Sequence, residues 1–186
     1  SGKDTAADLL NHVFPTGRKD KFARPVKEGV HGMFRILGAD GRVARHNALE
    51  RVKDVPHRAL MGMTPREAYI WYSEEVMKPK FGKDVFGKMF VQDNADKRGP
   101  IFVSDSGFEE EAYAVVEHFG MNNVMLVRLH REGHDFSRDS RSHLNLDLWQ
   151  THDIMNPGEY GPFFAKLKEV VEPFLGPARI PEDWRY

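Results

Sequence analysis

The sequence contains no cysteine, which excludes disulfide bonds and thiolate ligands for a metal. No apolar run approaches the length that crosses a bilayer, and none resembles a secretory signal. An excess of positive charge is also missing, since 27 lysines and arginines stand against 28 aspartates and glutamates. The chain therefore lacks the overall charge of a protein that coats nucleic acid or an anionic membrane. We expect a cytoplasmic protein without a membrane partner, in which any site for a polyanion is local.

Internal repeats and low-complexity segments are absent as well. A length of 186 residues with 40% hydrophobic residues suits one globular domain with a single core. We therefore expect one domain over residues 1–186.

The opening stretch Ser1-Gly2-Lys3-Asp4-Thr5 runs directly into an apolar pattern of helical spacing. This order is typical of the second half of a phosphate-binding loop, where backbone N–H groups and the positive end of a helix converge on a phosphate. Lys3 would reach the outer phosphates. A single residue, Asp4, separates it from Thr5, and in this the stretch resembles a small-molecule kinase more than a GTPase.

The earlier glycine of the full motif and the buried strand ahead of it are missing from the sequence. We expect an upstream apolar strand in the natural chain, because loss of a central strand would expose the edges and faces of its neighbours. Two alternatives stay open: the loop has been lost and no nucleotide binds, or the Ser-Gly-Lys match is accidental.

Helix signals are clearest in the middle of the chain. Thr64 and Glu67 form a capping box around Pro65, which predicts a helix that runs through Met77 and stops before Pro79. The basic, glycine-dotted sequence ahead of it is irregular, and another helical segment follows it. Residues 28–98 are expected to form a helical substrate-binding insertion. Lys21–Lys27 is expected to be a short strand or turn.

Two apolar runs of β propensity, Ile101–Ser104 and Val124–Leu129, flank a helical pattern that starts near Phe108 and stops at Gly120. Strand, helix and strand in this order predict a βαβ unit and a mostly parallel sheet. Asp153–Asn156 is expected to be a last short strand. A closing helix should follow Pro162, with its end marked by Pro173 and Pro177. The fold class is α/β.

Several charged residues are candidates for a site. Asp105 stands at the carboxyl end of a predicted strand, where it can hold a magnesium-bound water or a substrate hydroxyl, or cap the helix near Phe108. Arg24 and Lys27 are candidate anion contacts or ordinary solvated charges. Arg66 opposes the dipole of its predicted helix, so we expect a substrate phosphate or a carboxylate to hold it.

Residues 130–145 are polar and carry three arginines, Arg131, Arg138 and Arg141. Guanidinium groups on such a segment can close over transferring phosphates as a lid, although a solvated loop with Arg–Asp pairs is the alternative. His130, His134 and His143 also lie here, but their spacing in an expected loop argues against a zinc site.

In combination these stretches resemble the deoxynucleoside monophosphate kinases of bacteriophages and, more distantly, phosphomevalonate kinases, which share the P-loop kinase fold. The resemblance spans nearly the whole chain. It rests on Gly2-Lys3-Asp4-Thr5, on Thr64-Pro65-Arg66-Glu67 with Phe81-Gly82-Lys83-Asp84, on Val103-Ser104-Asp105 with Phe108 and Glu111, and on the segment ending in Arg141-Ser142-His143.

The resemblance implies a three-layer α/β/α domain that binds ATP and Mg²⁺, acts in the cytoplasm of a host cell and forms a homodimer. It assigns catalytic roles to Lys3, Asp105, Arg131, Arg138 and Arg141. It assigns the nucleotide site to Gly2, Lys3, Asp4, Thr5 and Asn156, with Asn156 near the adenine. It assigns magnesium to Thr5 and Asp105, and the substrate to Arg24, Lys27, Arg66 and Asp105.

The expected reaction is phosphoryl transfer from ATP to a deoxynucleoside 5′-monophosphate, which gives the diphosphate. One alternative acceptor is a hydroxymethyl group on a modified base, in a nucleotide or in DNA, with the basic stretch Arg42–Arg58 as an electrostatic track. A third possibility is a kinase-derived module that binds a nucleotide or a partner without catalysis.

Overall fold

The opening pattern forms helix α1, Lys3–Val13, in the computed structural model, which describes residues 2–36, 52–133, 144–146, 148 and 150–179. Helix α1 begins directly after Gly2, whose φ of 91° lies in the left-handed region that glycine adopts without strain. Its apolar residues recur at helical spacing and are buried, so α1 packs into the core along one face. The helix expected at the start of the sequence is confirmed.

Four short strands form two parallel pairs. Strand β1, Arg18–Asp20, pairs with β2, Ile101–Val103, and strand β3, Leu126–His130, pairs with β4, Thr151–Met155. The registers place Arg18 opposite Ile101 and Leu126 opposite Thr151. The prediction of α/β structure with parallel strands is thus confirmed. Within the described part of the chain, however, β2 pairs only with β1 and β3 pairs only with β4, so β2 and β3 are not hydrogen-bonded to each other.

Helices lie on both faces of strand β3. Leu129 belongs to the main core cluster with residues of α1 and of the last helix, α7, Tyr160–Leu175. Leu126, whose side chain points to the opposite face of the strand, packs against a cluster that contains Ala112 of α6, Glu109–Phe119. The expected helix between β2 and β3 is therefore present, and it ends at Gly120 as the sequence indicated.

The segment after β1 differs from its prediction. A short strand or turn was expected over residues 21–27, but a turn leads into helix α2, Arg24–Ile36. Pro25 falls near the start of this helix, where its missing N–H has no helical partner to lose. Arg24 and Lys27 therefore stand on the first turns of a helix.

The capping box is confirmed. Helix α3, Pro65–Trp71, begins after Thr64, whose hydroxyl accepts from the Glu67 backbone N–H at 3.1 Å, while the Glu67 carboxylate accepts from the Thr64 N–H at 2.7 Å. A short 3₁₀ helix, Arg58–Leu60, precedes it. Leu60, Val30 of α2 and Ala68 of α3 form a small buried cluster that holds this helical region together.

The expected stop before Pro79 is wrong. The chain stays helical through a π-helix, Tyr72–Met77, and into α4, Lys78–Phe81, which ends at Gly82. Proline lacks an N–H and its ring clashes with the carbonyl four residues earlier in a regular α-helix. The wider π turns relieve this conflict just before Pro79. Helix α5, Val85–Asn94, follows as the further helical segment that the sequence indicated.

The C-terminal elements are longer than expected. Strand β4 begins at Thr151 and ends at Met155, whereas Asp153–Asn156 was predicted. Helix α7 begins at Tyr160, ahead of Pro162, and continues through Pro173 to Leu175. Pro173 falls in the last turn, where it removes one helical hydrogen bond, and Phe163, Leu167 and Val171 keep the helix anchored in the core.

Candidate functional site

The start of α1 lies at the carboxyl ends of both strand pairs. Ser104 follows β2 and donates its hydroxyl to the Asp4 carboxylate at 2.8 Å. Asn156 follows β4, and a Cβ placed on Gly2 would lie 2.5 Å from its Nδ2. Gly2 therefore allows a close approach between the start of α1 and the loop after β4. In open parallel sheets this carboxyl edge is where ligands bind.

Asp4 is held on the β1 and β2 side of the helix start. Its carboxylate accepts from Lys21 Nζ at 2.7 Å as well as from Ser104. Burial of the Asp4 carboxyl opposes its ionisation, but these hydrogen bonds and the positive charges of Lys21 and Lys3 outweigh it and lower the Asp4 pKa. Asp4 thus ties the first turn of α1 to two strand ends.

Lys3 stands in the first turn of α1, one residue after Gly2. It is half-buried and lines an internal cavity together with Val103 and Ser104 at the end of β2. Thr5, the predicted magnesium-side hydroxyl, is on the same turn and is also half-buried. The structure therefore brings Lys3 to the strand ends where the sequence placed a phosphate site.

Asp105 joins the end of β2 to the start of α2. Its two carboxylate oxygens accept from the backbone N–H groups of Phe22 at 3.0 Å and Ala23 at 2.9 Å. The expectation that Asp105 caps the helix near Phe108 is wrong, since no side chain caps α6 and the Asp105 carboxylate bonds the turn before α2 instead. Burial raises the pKa of Asp105, although the two N–H groups and Lys21 act in the opposite direction.

The Asp105 carboxylate is the one that the sequence assigned to magnesium, and the Asp4 carboxylate lies at the same edge, bonded to Ser104 and Lys21. Each Asp105 oxygen keeps a second lone pair after accepting an N–H, so the carboxylate can also bind a metal-bound water. Mg²⁺ in nucleotide sites commonly uses one or two carboxylates together with substrate phosphates. Among the described residues no group of three or more His, Asp or Glu side chains forms a complete metal site. Asp105 and Thr5 could therefore hold magnesium only together with oxygen ligands that a bound nucleotide supplies.

Arg131 lies on the β3 and β4 side of the site. It follows β3 directly, and a Cβ placed on Gly158 would lie 3.8 Å from its Nη2. The Asn156 side chain accepts from the Gly158 N–H at 2.9 Å, which shapes the loop after β4. Gly2, Asn156 and Arg131 thus lie around one loop, and their roles stay predictions.

Arg24 belongs to a polar network at the carboxyl end of β1, where Asp20 is the last residue of the strand. Its guanidinium contacts Asp20 at 2.8 Å and Asp93 at 2.6 Å, and Glu28 lies 3.6 Å away. The hydrogen bond that Arg24 donates to the Asp20 carboxylate raises the Arg24 pKa, against the opposing effect of burial. Three carboxylates therefore already surround Arg24, which ties α2 to β1 and α5.

Lys27 and Arg66, the other substrate candidates, contact other side chains. The Lys27 ammonium lies 5.9 Å from the centroid of the Tyr69 ring. Exposed Arg66 pairs with Asp54 at 2.6 Å, so a carboxylate holds it, which was one of the two expected partners. A role for either residue in substrate binding stays a prediction.

Part of the predicted lid falls outside the described residues. That part contains Arg138, Arg141, His134 and His143.

His130, by contrast, is described. It ends β3, and its Nε2 lies 2.6 Å from Asp153 Oδ1. Arg128 contacts the same carboxylate at 2.6 Å, and together the hydrogen bonds from Arg128 and His130 lower the Asp153 pKa to about 2.

Sequence reasoning missed the residues that hold the site together. Lys21 and Ser104 fix Asp4, and Asn94 with Asp20 fixes Arg24. Asp20 is only four residues from Arg24, but Asn94 and Ser104 are far in the sequence from the residues they contact, so no local pattern marks them. The position of Ser104 as the last residue of a predicted parallel strand was the one available signal.

None of the helices among the described residues combines the length and apolar composition that a membrane span requires. Comparison with known protein families and with curated proteins finds no matching family model and no matching protein.

Proposed function

We propose that this chain is a P-loop-type kinase domain that transfers a phosphoryl group from ATP to a deoxynucleoside 5′-monophosphate. The observation that carries the proposal is the position of the α1 start, Gly2-Lys3-Asp4-Thr5, at the carboxyl edge of both parallel strand pairs. Asp105 and Arg131 lie at the same edge. A helix N-terminus with a lysine, an acid and an arginine at this edge suits the binding of polyphosphate and magnesium.

Each of these residues has a role in this reaction. Backbone N–H groups in the first turn of α1 would bind phosphate oxygens, and the Lys3 ammonium would offset the charge of the transferring group. Arg131 would add positive charge from the opposite strand pair. Thr5 and Asp105 would hold a magnesium ion, which would supply positive charge to the phosphates.

The acceptor decides what Asp105 must do. A phosphate monoester is largely ionised at neutral pH, so a deoxynucleoside monophosphate needs no general base to attack. Asp105 would then serve only to position the metal and the acceptor. A hydroxymethyl acceptor would instead lose a proton, and a carboxylate whose pKa is raised by burial is a suitable base for it. The raised pKa of Asp105 is therefore a reason to test the hydroxymethyl acceptor as well.

The experiment measures ADP formation from ATP and Mg²⁺ with each deoxynucleoside 5′-monophosphate in turn. We expect activity with at least one acceptor and a loss of about 100-fold or more in Lys3→Ala, since the lysine stabilises transition-state charge. Lys88→Ala is the matched control, because Lys88 is exposed on α5 and pairs with Asp84. Absence of ADP with every acceptor would contradict the proposed reaction.

Two further measurements separate the alternatives. Phosphate transfer to hydroxymethylated DNA, with none to free nucleotides, would support the modified-base acceptor. ATP affinity that is the same in the natural chain and in Lys3→Ala, without any turnover, would support a non-catalytic module.

A further inference from the structure

Glu111 is a buried acid without a hydrogen-bond partner among the residues that the structure describes. It lies in the first turn of α6 and is 4% exposed. It occupies the third position after Phe108, from which a capping-box glutamate bonds the N–H of the cap residue, but it makes no such bond. Buried polar groups are normally hydrogen-bonded, because an unpaired one costs free energy. The fold by itself therefore does not explain this carboxyl.

Lys78, the positive charge that acts on Glu111, is already paired with another residue. Its ammonium lies 2.7 Å from Glu74 Oε1 and 4.3 Å from the centroid of the Phe108 ring, and its side chain is only 11% exposed. Its charge acts to lower the pKa of Glu111, but its hydrogen bond goes to Glu74. Lys78 thus holds the start of α4 against the start of α6 and leaves the Glu111 carboxyl to accept from another group.

A contribution to stability does not explain Glu111 either. Burial raises its pKa to about 7, so above that pH the ionised carboxylate weakens the fold. A glutamine at this position would carry no such cost. Residues of binding sites often lower stability in this way, because their chemistry is needed for a ligand.

The Glu111 carboxyl lies near both the helical region expected to bind the substrate and the carboxyl end of β2. Glu74 and Lys78 belong to that helical region, and Asp105 follows β2. The charge of Asp105 raises the Glu111 pKa, so the two carboxyls are close enough to interact. In the reaction proposed above Asp105 positions the acceptor phosphate, and the sugar is the group joined to that phosphate. Glu111 is therefore placed to meet the sugar.

The charges around Glu111 select what it can bind. The carboxylates of Glu74, Asp105 and Glu110 raise its pKa, and they would repel a phosphate. Among the described residues they do not form a group of three or more that could hold a metal ion. A neutral group that donates a hydrogen bond fits a carboxylate in these surroundings. A deoxyribose joined to the phosphate at its 5′ position offers one hydroxyl, at the 3′ position.

We propose that Glu111 binds the 3′-hydroxyl of the acceptor deoxynucleotide, whose O–H would donate to the Glu111 carboxylate. The identity of the acceptor rests on the function proposed above. The contact between Lys78 and Phe108 holds the first turn of α6, which carries Glu111. An acceptor without a 3′-hydroxyl would leave the carboxylate buried and unpaired, so the site would discriminate against it.

The test compares each deoxynucleoside 5′-monophosphate with the 2′,3′-dideoxynucleoside 5′-monophosphate of the same base. Binding to the 186-residue chain is measured by calorimetry at about pH 8, where Glu111 is ionised. For the base that binds best, we expect the natural chain to bind the deoxynucleotide about 10–100-fold more tightly, since the dideoxy compound lacks a hydrogen bond to a charged group. The result does not depend on phosphoryl transfer, because binding needs no turnover.

Three variants test whether Glu111 makes the contact with the hydroxyl. Glu111→Met keeps a similar length without an acceptor oxygen, so it should bind the two nucleotides equally. Glu111→Gln retains one acceptor oxygen and should show an intermediate preference, which tests the contact even if Glu111→Met does not fold. Glu117→Gln, exposed on the same helix, should match the natural chain.

Three results would overturn this inference alone. One is equal binding of the two nucleotides of every pair by the natural chain. Another is a full preference for the deoxynucleotide in Glu111→Met. The third is an equal loss of affinity for both nucleotides in that variant, since such a loss would come from the base or the fold and not from the hydroxyl. If no deoxynucleotide binds to the natural chain, the proposed function fails, and this inference fails with it.

Discussion

The Asp105 carboxylate accepts a hydrogen bond from the Ala23 backbone N–H at 2.9 Å, although 82 residues separate the two in the sequence. Its other oxygen accepts from the Phe22 N–H. This pair of bonds joins the end of β2 to the turn before α2. The Asp105 side chain therefore helps to fix the position of α2, together with the ion pairs of Arg24.

Asp105→Asn tests this dependence. An amide keeps one acceptor oxygen and would turn its NH₂ group toward the second backbone N–H, leaving that donor without a partner. We expect the free energy of unfolding to fall by about 1–3 kcal/mol in urea titrations. Asp96→Asn is the control, because Asp96 is exposed. Equal urea midpoints for the two variants would show that the carboxylate does not hold α2.

Glu111 predicts a specific pH dependence of stability. The residue is 4% exposed, and burial raises its pKa to about 7, against the opposing charge of Lys78. A raised pKa in the folded state means that the protonated form stabilises the fold. This stability is present below about pH 4.5 and is lost as the pH rises to about 7.

Glu111→Gln should remove that loss, because glutamine resembles the protonated acid. We expect this variant to exceed the natural chain in unfolding free energy by up to roughly 3 kcal/mol at about pH 8, and to match it near pH 4. Glu117→Gln, exposed on the same helix and not among the charges that shift Glu111, should follow the natural chain at both pH values. A constant difference between Glu111→Gln and the natural chain across this range would contradict the assignment.

Asn94→Leu removes the centre of the buried polar network. Asn94 is fully buried, donates to Asp20 at 2.8 Å and accepts from Arg18 Nε at 3.1 Å. Leucine has a similar size but leaves both charged partners without this bond, so we expect a loss of about 2–3 kcal/mol in chemical unfolding. Gln92→Leu, exposed on the same helix, should change stability by less than about 0.5 kcal/mol.

Gly87 and Gly161 form a matched pair, since both lie in helices and neither has a left-handed φ. A Cβ on Gly87 would lie 2.4 Å from the Glu111 carbonyl oxygen, whereas a Cβ on Gly161 would meet nothing within 4 Å. We expect Gly87→Ala to lower the Tm through a clash between α5 and α6. Gly161→Ala should raise stability by about 0.5–1 kcal/mol. If both variants gained stability, the close helix contact at Gly87 would be wrong.

The parts of the fold that the sequence predicted are those with local signals. The capping box at Thr64 fixes the start of α3, Gly120 ends α6, and the apolar run at Ile101 forms β2. Each of these depends on residues within a few positions of one another. A single sequence carries such information directly.

The parts of the fold and of the site that were not predicted depend mostly on contacts between residues far apart in the sequence. Strand β1 is the charged triplet Arg18–Asp20, which has no strand pattern and is ordered by pairing with Ile101–Val103. Arg24 resembled a ligand contact by charge alone, but Asp20 and Asp93 surround it in the fold. Pro79 was expected to end a helix, and the preceding π turns, which no local rule indicated, let the helix continue.

The two strands of one pair are separated by a much longer stretch of chain than the two strands of the other pair. We expect this difference to set the order in which the pairs form. Leu126 meets Thr151 after 25 residues, while Arg18 meets Ile101 only after 83. Closing the longer loop costs roughly 1 kcal/mol more in chain entropy. We expect β3 and β4 to associate first during refolding, so that pulse-labelled amides of Arg128 gain protection before those of Phe102, and the half of the molecule that carries Lys21 and Asp4 assembles last.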